Sequence, residues 1–268
     1  NPSGPRGREA VEAIDESFAA SVRRQYAFDQ SISRAHIGSL SGGLDSRMDA
    51  FVAYEEGFRE RVNFTFGAPG CADMQIAQEM ARALVQPQLT VGLTGGAYLK
   101  DFTRYACVLN GGISIGFLAA HGSFAVSQVN WERYGILHSG QLGDALFGSF
   151  LLGPQVSAPN PKLGTQSDLF ADEVTERKAQ IAAEFGSHEM FMFYVRGLLL
   201  VNGGNASYFP YTIPVSPFLD TEFAQLAFSI PAEERWENKL YAEWIRIKRT
   251  RAGEFVWNKS AAKLSSKL

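Results

Sequence analysis

The residues with the clearest chemical potential are Ser41-Gly42-Gly43-Leu44-Asp45-Ser46, placed where a short apolar strand gives way to a helical pattern. Glycines at such a turn let the backbone take positive φ and come close to a ligand, and the amides of the first helical turn point at whatever lies above them. With the helix dipole added, that arrangement suits an anion, most simply a phosphate or pyrophosphate. Ser41 and Ser46 add hydroxyl donors, and Asp45 offers a carboxylate for a magnesium ion that bridges phosphates. The sequence contains no GxxxxGK[ST], so the loop is not a Walker A loop. A serine and glycine turn can also be mere punctuation. The pattern S-G-G-x-D-S should nevertheless arise by chance in a chain of this length at roughly the 10⁻⁴ level, which favours a site.

Such a loop needs a strand before it and a helix after it, and the flanking sequence supplies both. Val11, Ile14, Phe18 and Val22 recur at three or four within 9–28, predicting an amphipathic helix, and 35–40 reads as a strand. Met48 to Glu56 reads as a helix stopped by Gly57, and Val62 to Phe66 as a second strand. Asp73 is expected to cap a helix that carries Ile76, Ala77, Met80, Ala81 and Leu84 on one face, followed by a strand at 88–93. Strands and helices alternating at this spacing predict an α/β fold: a parallel sheet with helices on both faces. A further strand is expected at 135–139, leading into a glycine-punctuated helical segment at 140–150. After Pro154 no strand is expected. The stretch 154–167 has the composition of a linker, and helices are predicted at 168–185, 189–201 and 219–229. The chain therefore reads as an α/β nucleotide-binding core over 30–153 and a mainly helical part over 168–268.

The 268 residues are 46% hydrophobic and 20% charged, with 20 Phe and 9 Tyr, enough apolar material for a large core. Lys and Arg number 25 against 28 Asp and Glu, a formal charge of −3, which disfavours a nucleic-acid partner. Lys248, Arg249 and Arg251 form only a short basic run, read as a solvated face. Cys71 and Cys107 supply neither a disulfide framework nor a zinc site and are expected to be reduced thiols of a cytoplasmic protein. The weakly charged stretch 108–129, interrupted by four glycines and His121, reads as a buried helix and not a membrane span. The opening Asn-Pro-Ser-Gly-Pro-Arg-Gly has neither an initiator Met nor a signal-peptide core, so the genetic start is expected to lie elsewhere. His36, His121, His138 and His188 are scattered, and His36 and His138 are read as satisfied core or near-site groups.

The loop and its context resemble the synthetase domain of asparagine synthetase, within the ATP pyrophosphatase superfamily. Three further segments carry the resemblance. Phe64-Thr65-Phe66-Gly67-Ala68-Pro69-Gly70, with Asp73 after it, is similar to the family's second strand and loop. The segment from His138 to Phe150 is similar to the family's Leu-Ser-Gly-Glu-Gly-Ser-Asp-Glu-Leu-Phe-Gly-Gly-Tyr. Pro217-Phe218-Leu219-Asp220, Ile230-Pro231 and Lys239 resemble its closing part, so that the likeness spans about 9–245. It implies that Ser41, Gly42, Gly43, Asp45 and Ser46 meet the pyrophosphate of ATP, and that Leu40, Phe66, Ser139 and Gly140 contact the adenosine part. It also implies that Asp45 and Asp144 hold Mg²⁺, and that Lys239 neutralises charge as an acyl-adenylate forms. Two carboxylates from separate strand ends can converge at the carboxyl edge of a parallel sheet, where open α/β folds bind ligands.

There are departures from the family pattern. Gln141 replaces a glutamate important to the aspartyl half-reaction and cannot act as a base. Leu142-Gly143 replaces Gly-Ser, Ala145 replaces an acid, and Arg47 replaces a second serine after the loop. The resemblance implies an AMP-forming, ATP-dependent carbon–nitrogen ligase that joins a carboxylate to ammonia or an amine, with asparagine synthesis as its best-known case. Relatives closing β-lactam or lasso-peptide rings, or amidating sugar carboxylates, make a specialised acceptor credible beside Gln141. Glutamine-dependent members begin with an N-terminal cysteine nucleophile domain, and this chain begins Asn1-Pro2. No glutaminase domain is therefore expected within it, and a separate glutaminase domain or subunit remains open as a partner. A degenerate nucleotide-binding module is a second reading, opposed by the retained Asp45 and Asp144. A tRNA-modifying thiolase or an NAD synthetase is a third, lacking paired cysteines or a basic face.

Overall fold

In the computed structural model the described residues are 4–100, 116–162 and 169–264. Helix α1 (Gly7–Ser31) precedes strand β1 (Ala35–Ser39), and α2 (Leu44–Glu55), β2 (Arg61–Gly67), α3 (Ala72–Ala83) and β3 (Gln88–Gly92) follow. Next come α4 (Gly116–Ser127) and β4 (Tyr134–His138). The later helices are α5 (Ala171–Ala182), α6 (His188–Met192), α7 (Thr221–Ser229), α8 (Ala232–Arg235) and α9 (Lys239–Lys248).

The main sheet runs β3-β2-β1-β4-β5, every pairing parallel, with β5 being the two residues Pro214–Val215. The α/β fold read from the sequence is therefore the one observed. Chain order moves outward from β1 to β3 and then resumes at β4 on the other side of β1. That reversal opens a crevice at the carboxyl ends of β1 and β4, the place where open α/β sheets bind ligands.

Helices cover both faces. Val11, Ile14, Phe18, Val22 and Tyr26 of α1 are fully buried, in one cluster with residues of α2, α3, α7 and α9. Its aromatic centre sets Phe18 at 4.5 Å from Phe218 and 5.1 Å from Trp244, with Phe147 stacked on Tyr241 at 4.5 Å. On the other face Ile37, Phe64 and Leu137 pack against Ala125 and Val126 of α4. Strand residues alternate between the faces as a pleated strand requires, so His36 and Gly38 lie on the side opposite to Ile37.

Several expectations need correction. Strands do not stop at Pro154: β5 extends the sheet, joined by Leu137 N–H to Ile213 O (3.1 Å) and Ser139 N–H to Val215 O (2.8 Å). A hairpin of β6 (Val256–Trp257) and β7 (Ala262–Lys263) closes the described chain. Both strand pairs are two residues long, too short for a periodic signal. Asp73 does not cap α3; Cys71 occupies that position, and the Asp73 carboxylate reaches back to the glycine loop. The helix expected at 189–201 divides into α6 and a π-helical segment Phe193–Asn202, and the segment at 140–150 contains only a π-type turn at Ala145–Ser149. The linker-like stretch, where described, is tied to α6 through His188 N–H to Ser157 O and Asn160 N–H to His188 Nδ1. Cys107, Asp168 and the first part of the helix expected at 108–129 lie outside the described residues. No helix among the described residues is long and apolar enough to cross a membrane.

The α1 face of the sheet contains a fully buried polar unit. Asp29 Oδ2 meets His36 Nδ1 at 3.0 Å and His138 Nε2 at 2.8 Å, while Oδ1 accepts the Ile136 N–H at 2.9 Å. Tyr26 stacks on His138, and its hydroxyl accepts from Arg61, which also pairs with Asp49 at 2.8 Å. Burial alone would push the Asp29 carboxyl up, but the hydrogen bonds from His138, His36 and Ile136 outweigh it and the group lies below its usual range. Its stabilising contribution is thus present above the ordinary carboxylate pKa and is lost as pH falls through that range and below. Asp29→Ala leaves two rings and an amide without a partner, and should cost about 3 to 5 kcal/mol at pH 7. Urea titrations at pH 7 and at about pH 2.5, below the ordinary carboxylate range, check this: the wild type should approach the variant at the lower pH, and an unchanged midpoint at pH 7 would contradict the role.

Candidate active site

The glycine loop begins where β1 leaves the sheet. Leu40 is buried, its N–H bound to Phe64 O and its carbonyl capped by Thr65 Oγ1 at 2.8 Å. The chain then turns through Ser41, Gly42 and Gly43 into α2, with Asp45 in the first helical turn. The loop is partly self-satisfied. Ser46 Oγ accepts the Ser41 N–H at 3.0 Å, Ser41 Oγ accepts the Gly43 N–H at 3.3 Å, and Asp73 Oδ1 accepts the Gly42 N–H at 2.9 Å. Not every loop amide therefore points at open space as the sequence implied; those of Ser41, Gly42 and Gly43 are already bonded to hydroxyls and to Asp73.

Asp45 is only partly accessible and lies under the second motif, not at an exposed loop. Its Oδ2 accepts the Asp144 N–H at 3.0 Å and its Oδ1 accepts the Tyr241 hydroxyl at 2.9 Å. The approach depends on Gly140: a Cβ there would fall 2.1 Å from the Asp45 carbonyl carbon, so only glycine lets the two motifs meet. Burial, and after it the neighbouring Asp144 charge, pushes the Asp45 carboxyl up to about 7. Asp144 itself pairs with Lys259 Nζ at 3.2 Å. Two adjacent carboxylates sharing one ammonium make an under-neutralised oxygen donor set, which fits a hard divalent cation.

Lys259 was not singled out by the sequence. It sits on the terminal hairpin, which is drawn over the glycine loop by Arg47. That side chain is fully buried and donates to four main-chain carbonyls, Gly42 (3.1 Å), Ala252 (3.1 Å), Phe255 (3.0 Å) and Val256 (2.7 Å). Burial draws its pKa down to about 10, which leaves it a cation at neutral pH. Asn258 adds a link from its Nδ2 to Asp73 Oδ1 at 2.9 Å. The serine that the family pattern has at position 47 is too short to reach these carbonyls.

These elements enclose a cavity of about 460 Å³, in the range of small-molecule sites. The expected residues Leu40, Ser41, Gly43, Asp45, Ser46, Phe66, Ser139, Gly140, Gln141 and Asp144 all line it. Gly42 supports it from behind, its amide held by Asp73 and its carbonyl by Arg47. Lys239 is not brought in. It starts α9 and lies 3.9 Å from Glu237 at the surface, while its neighbours Asn238 and Tyr241 face the cleft. Trp257, Asn258 and Lys259 complete the lining. They lie beyond the stretch the resemblance covered, and a lone lysine in a polar tail has no local signature.

The sequence profile of the family described as asparagine synthase matches residues 13–246. The chain belongs to the asparagine synthase family. It is accordingly a synthetase-type ligase, an ATP-using enzyme that forms amides. Among solved structures it is similar to the NMN synthetase of Francisella tularensis, at 12% identity and a TM-score of 0.34, over 76% of this chain and 93% of that one. No curated protein matches it in sequence.

Two variants test the electrostatics of the cleft. Because the Asp45 carboxyl is raised, its contribution to stability is fully present below the ordinary carboxylate range and is lost as pH climbs through about 7. Asp45→Asn can keep both hydrogen bonds, since the Tyr241 hydroxyl can turn to accept. It should make the ligand-free protein more stable at pH 8 by on the order of 1 to 2 kcal/mol, with no gain at pH 4. Thermal melts at the two pH values decide, and a loss of stability at pH 8 would refute the like-charge picture. Arg47→Met should do the reverse, costing 3 kcal/mol or more because buried carbonyls lose their donors; an unchanged melt would show that the hairpin holds itself in place.

Proposed function

We propose that this enzyme activates a carboxylate with ATP and transfers the acyl group to ammonia or an amine, releasing AMP and pyrophosphate. The observation that carries the reading is the convergence, at the carboxyl ends of β1 and β4, of the glycine loop, the Asp45–Asp144 pair and Lys259 around one cavity.

A carboxylate resists nucleophiles, and conversion to an acyl-adenylate gives it a good leaving group. A carboxylate oxygen attacks the α-phosphorus of ATP, the α–β anhydride bond breaks, and its electron pair departs with pyrophosphate. The amine nitrogen then attacks the acyl carbon, AMP leaves with the bonding pair, and the nitrogen sheds a proton to solvent. The protein's share is positioning and charge. Serine hydroxyls and amides of the α2 terminus hold the pyrophosphate, and Lys259 lies where negative charge grows on the departing phosphates. Leu40, Phe66, Ser139 and Gly140 form the adenosine end. Mg²⁺ would be held by Asp45 and Asp144, supplying charge neutralisation to the phosphates when bound.

The nitrogen donor is read as ammonia or an amine reaching the cleft directly, or supplied by a glutaminase on a separate domain or subunit. The degenerate-module reading has less support, because the carboxylate pair and a lysine still converge on the cavity.

Substitution of the two lysines separates this reading from the sequence-derived one. Lys259→Ala should lower pyrophosphate release a hundredfold or more, the scale of losing one preorganised charge contact, while Lys239→Ala stays within twofold. A carboxylate panel with ATP, ammonium and each variant makes the measurement. Full activity in Lys259→Ala together with loss in Lys239→Ala would reverse the assignment.

A further inference from the structure

Among the described residues that line the cavity, the charged ones are Asp45, Asp73, Asp144 and Lys259, and the remaining polar lining includes the neutral side chains of Gln141, Asn205 and Tyr208. Gln141 and Asn205 are neutral amides joined in a directed chain. Gln141 Nε2 donates to the Val201 carbonyl at 3.1 Å and Gln141 Oε1 accepts from Asn205 Nδ2 at 2.6 Å. Asn205 Nδ2 also donates to Asn202 Oδ1 at 2.9 Å. Turning the Gln141 amide over would set oxygen against the Val201 oxygen and N–H against the Asn205 N–H, so its orientation is determined by its neighbours.

Resting on the adenylating reading above, we infer that Gln141 and Asn205 form the specificity-determining pair for the carboxylate substrate, and that they select one whose other polar substituents are uncharged, hydroxyl or carboxamide. The chain of amides uses one N–H of Gln141 and both of Asn205. The second Gln141 N–H and the Asn205 Oδ1 remain, one donor and one acceptor, and a hydroxyl or carboxamide answers both at once. Aspartate activated at its side-chain carboxyl would instead bring an ammonium and a second carboxylate to a pair of amides that offers a counter-ion to neither, so that an ion placed there loses hydration without compensation. Tyr208 supplies no charge either, since burial raises its phenol to about 12. A glutamate at position 141 would invert this preference by placing a negative charge beside the ammonium.

The test is ATP–pyrophosphate exchange, which reads adenylation without needing the amine. The probes are succinamate and 3-hydroxybutanoate, which carry neutral substituents, against β-alanine and aspartate, which carry an ammonium. The wild type should exchange at least tenfold faster with the neutral pair, and Gln141→Glu or Asn205→Asp should reduce that ratio tenfold or more. The wild-type ratio decides the matter if a variant fails to fold. Equal or faster exchange with aspartate, or no exchange with either neutral probe while calorimetry shows Mg·ATP bound, overturns the inference and leaves the ATP reading in place. Absence of Mg·ATP binding overturns both.

Discussion

One buried cation holds the cleft together. Arg47 has no carboxylate within its shell; its guanidinium is spread over four main-chain carbonyls, one in the glycine loop and three in the segment that leads into the terminal hairpin. A buried charge is tolerable when acceptors surround it, and here carbonyl oxygens take the protons of both terminal nitrogens, leaving Nε without a partner, and add no formal negative charge to the cleft. Through this contact two segments more than two hundred residues apart become neighbours. Trp257, Asn258 and Lys259 then lie over a loop whose own contacts are mostly local.

The charges in the cleft are balanced loosely, in contrast to those in the core. Beneath the sheet Asp29 is matched by His36, His138 and an amide, and Asp49 is matched by Arg61 and Tyr26. Glu189 and Arg235 form a further buried pair, which also caps the Leu146 carbonyl. In the cleft, Asp45 and Asp144 share Lys259, and the result is an Asp45 carboxyl held near neutrality by burial and by its neighbour. The core carboxylates are thus each met by a cation or by hydrogen-bond donors, although Arg61 Nε and His138 Nδ1 have no partner, whereas the two cleft carboxylates have one ammonium between them. His138 belongs to the core network although it adjoins Ser139 and Gly140: its ring braces the end of β4 and does not enter the cavity lining.

The parallel sheet and the loop with its helix were legible in the sequence because each rests on local pattern, while the meeting of Asp45 with Asp144 was expected from the family resemblance. β-Branched and aromatic content marks the second strand, a three-to-four spacing marks α1 and α3, and S-G-G-x-D-S marks a turn between strand and helix that needs glycine. The family membership follows from the same residues, which the matched span 13–246 contains.

What the sequence could not settle were the contacts that join distant segments. Lys239 and Lys259 are alike as letters, and only the path of α9 and the hairpin decides which of them reaches Asp144. The two-residue strands β5, β6 and β7 have no period to detect and exist because existing edges and Arg47 supply partners. Gln141 was visible as a lost charge, but its partner Asn205 was not, since nothing in the spacing of 64 residues announces a hydrogen bond. Local chemistry is written in adjacent residues; the choice of which charges and amides share a cavity is made by packing, through the burial energy of the whole fold.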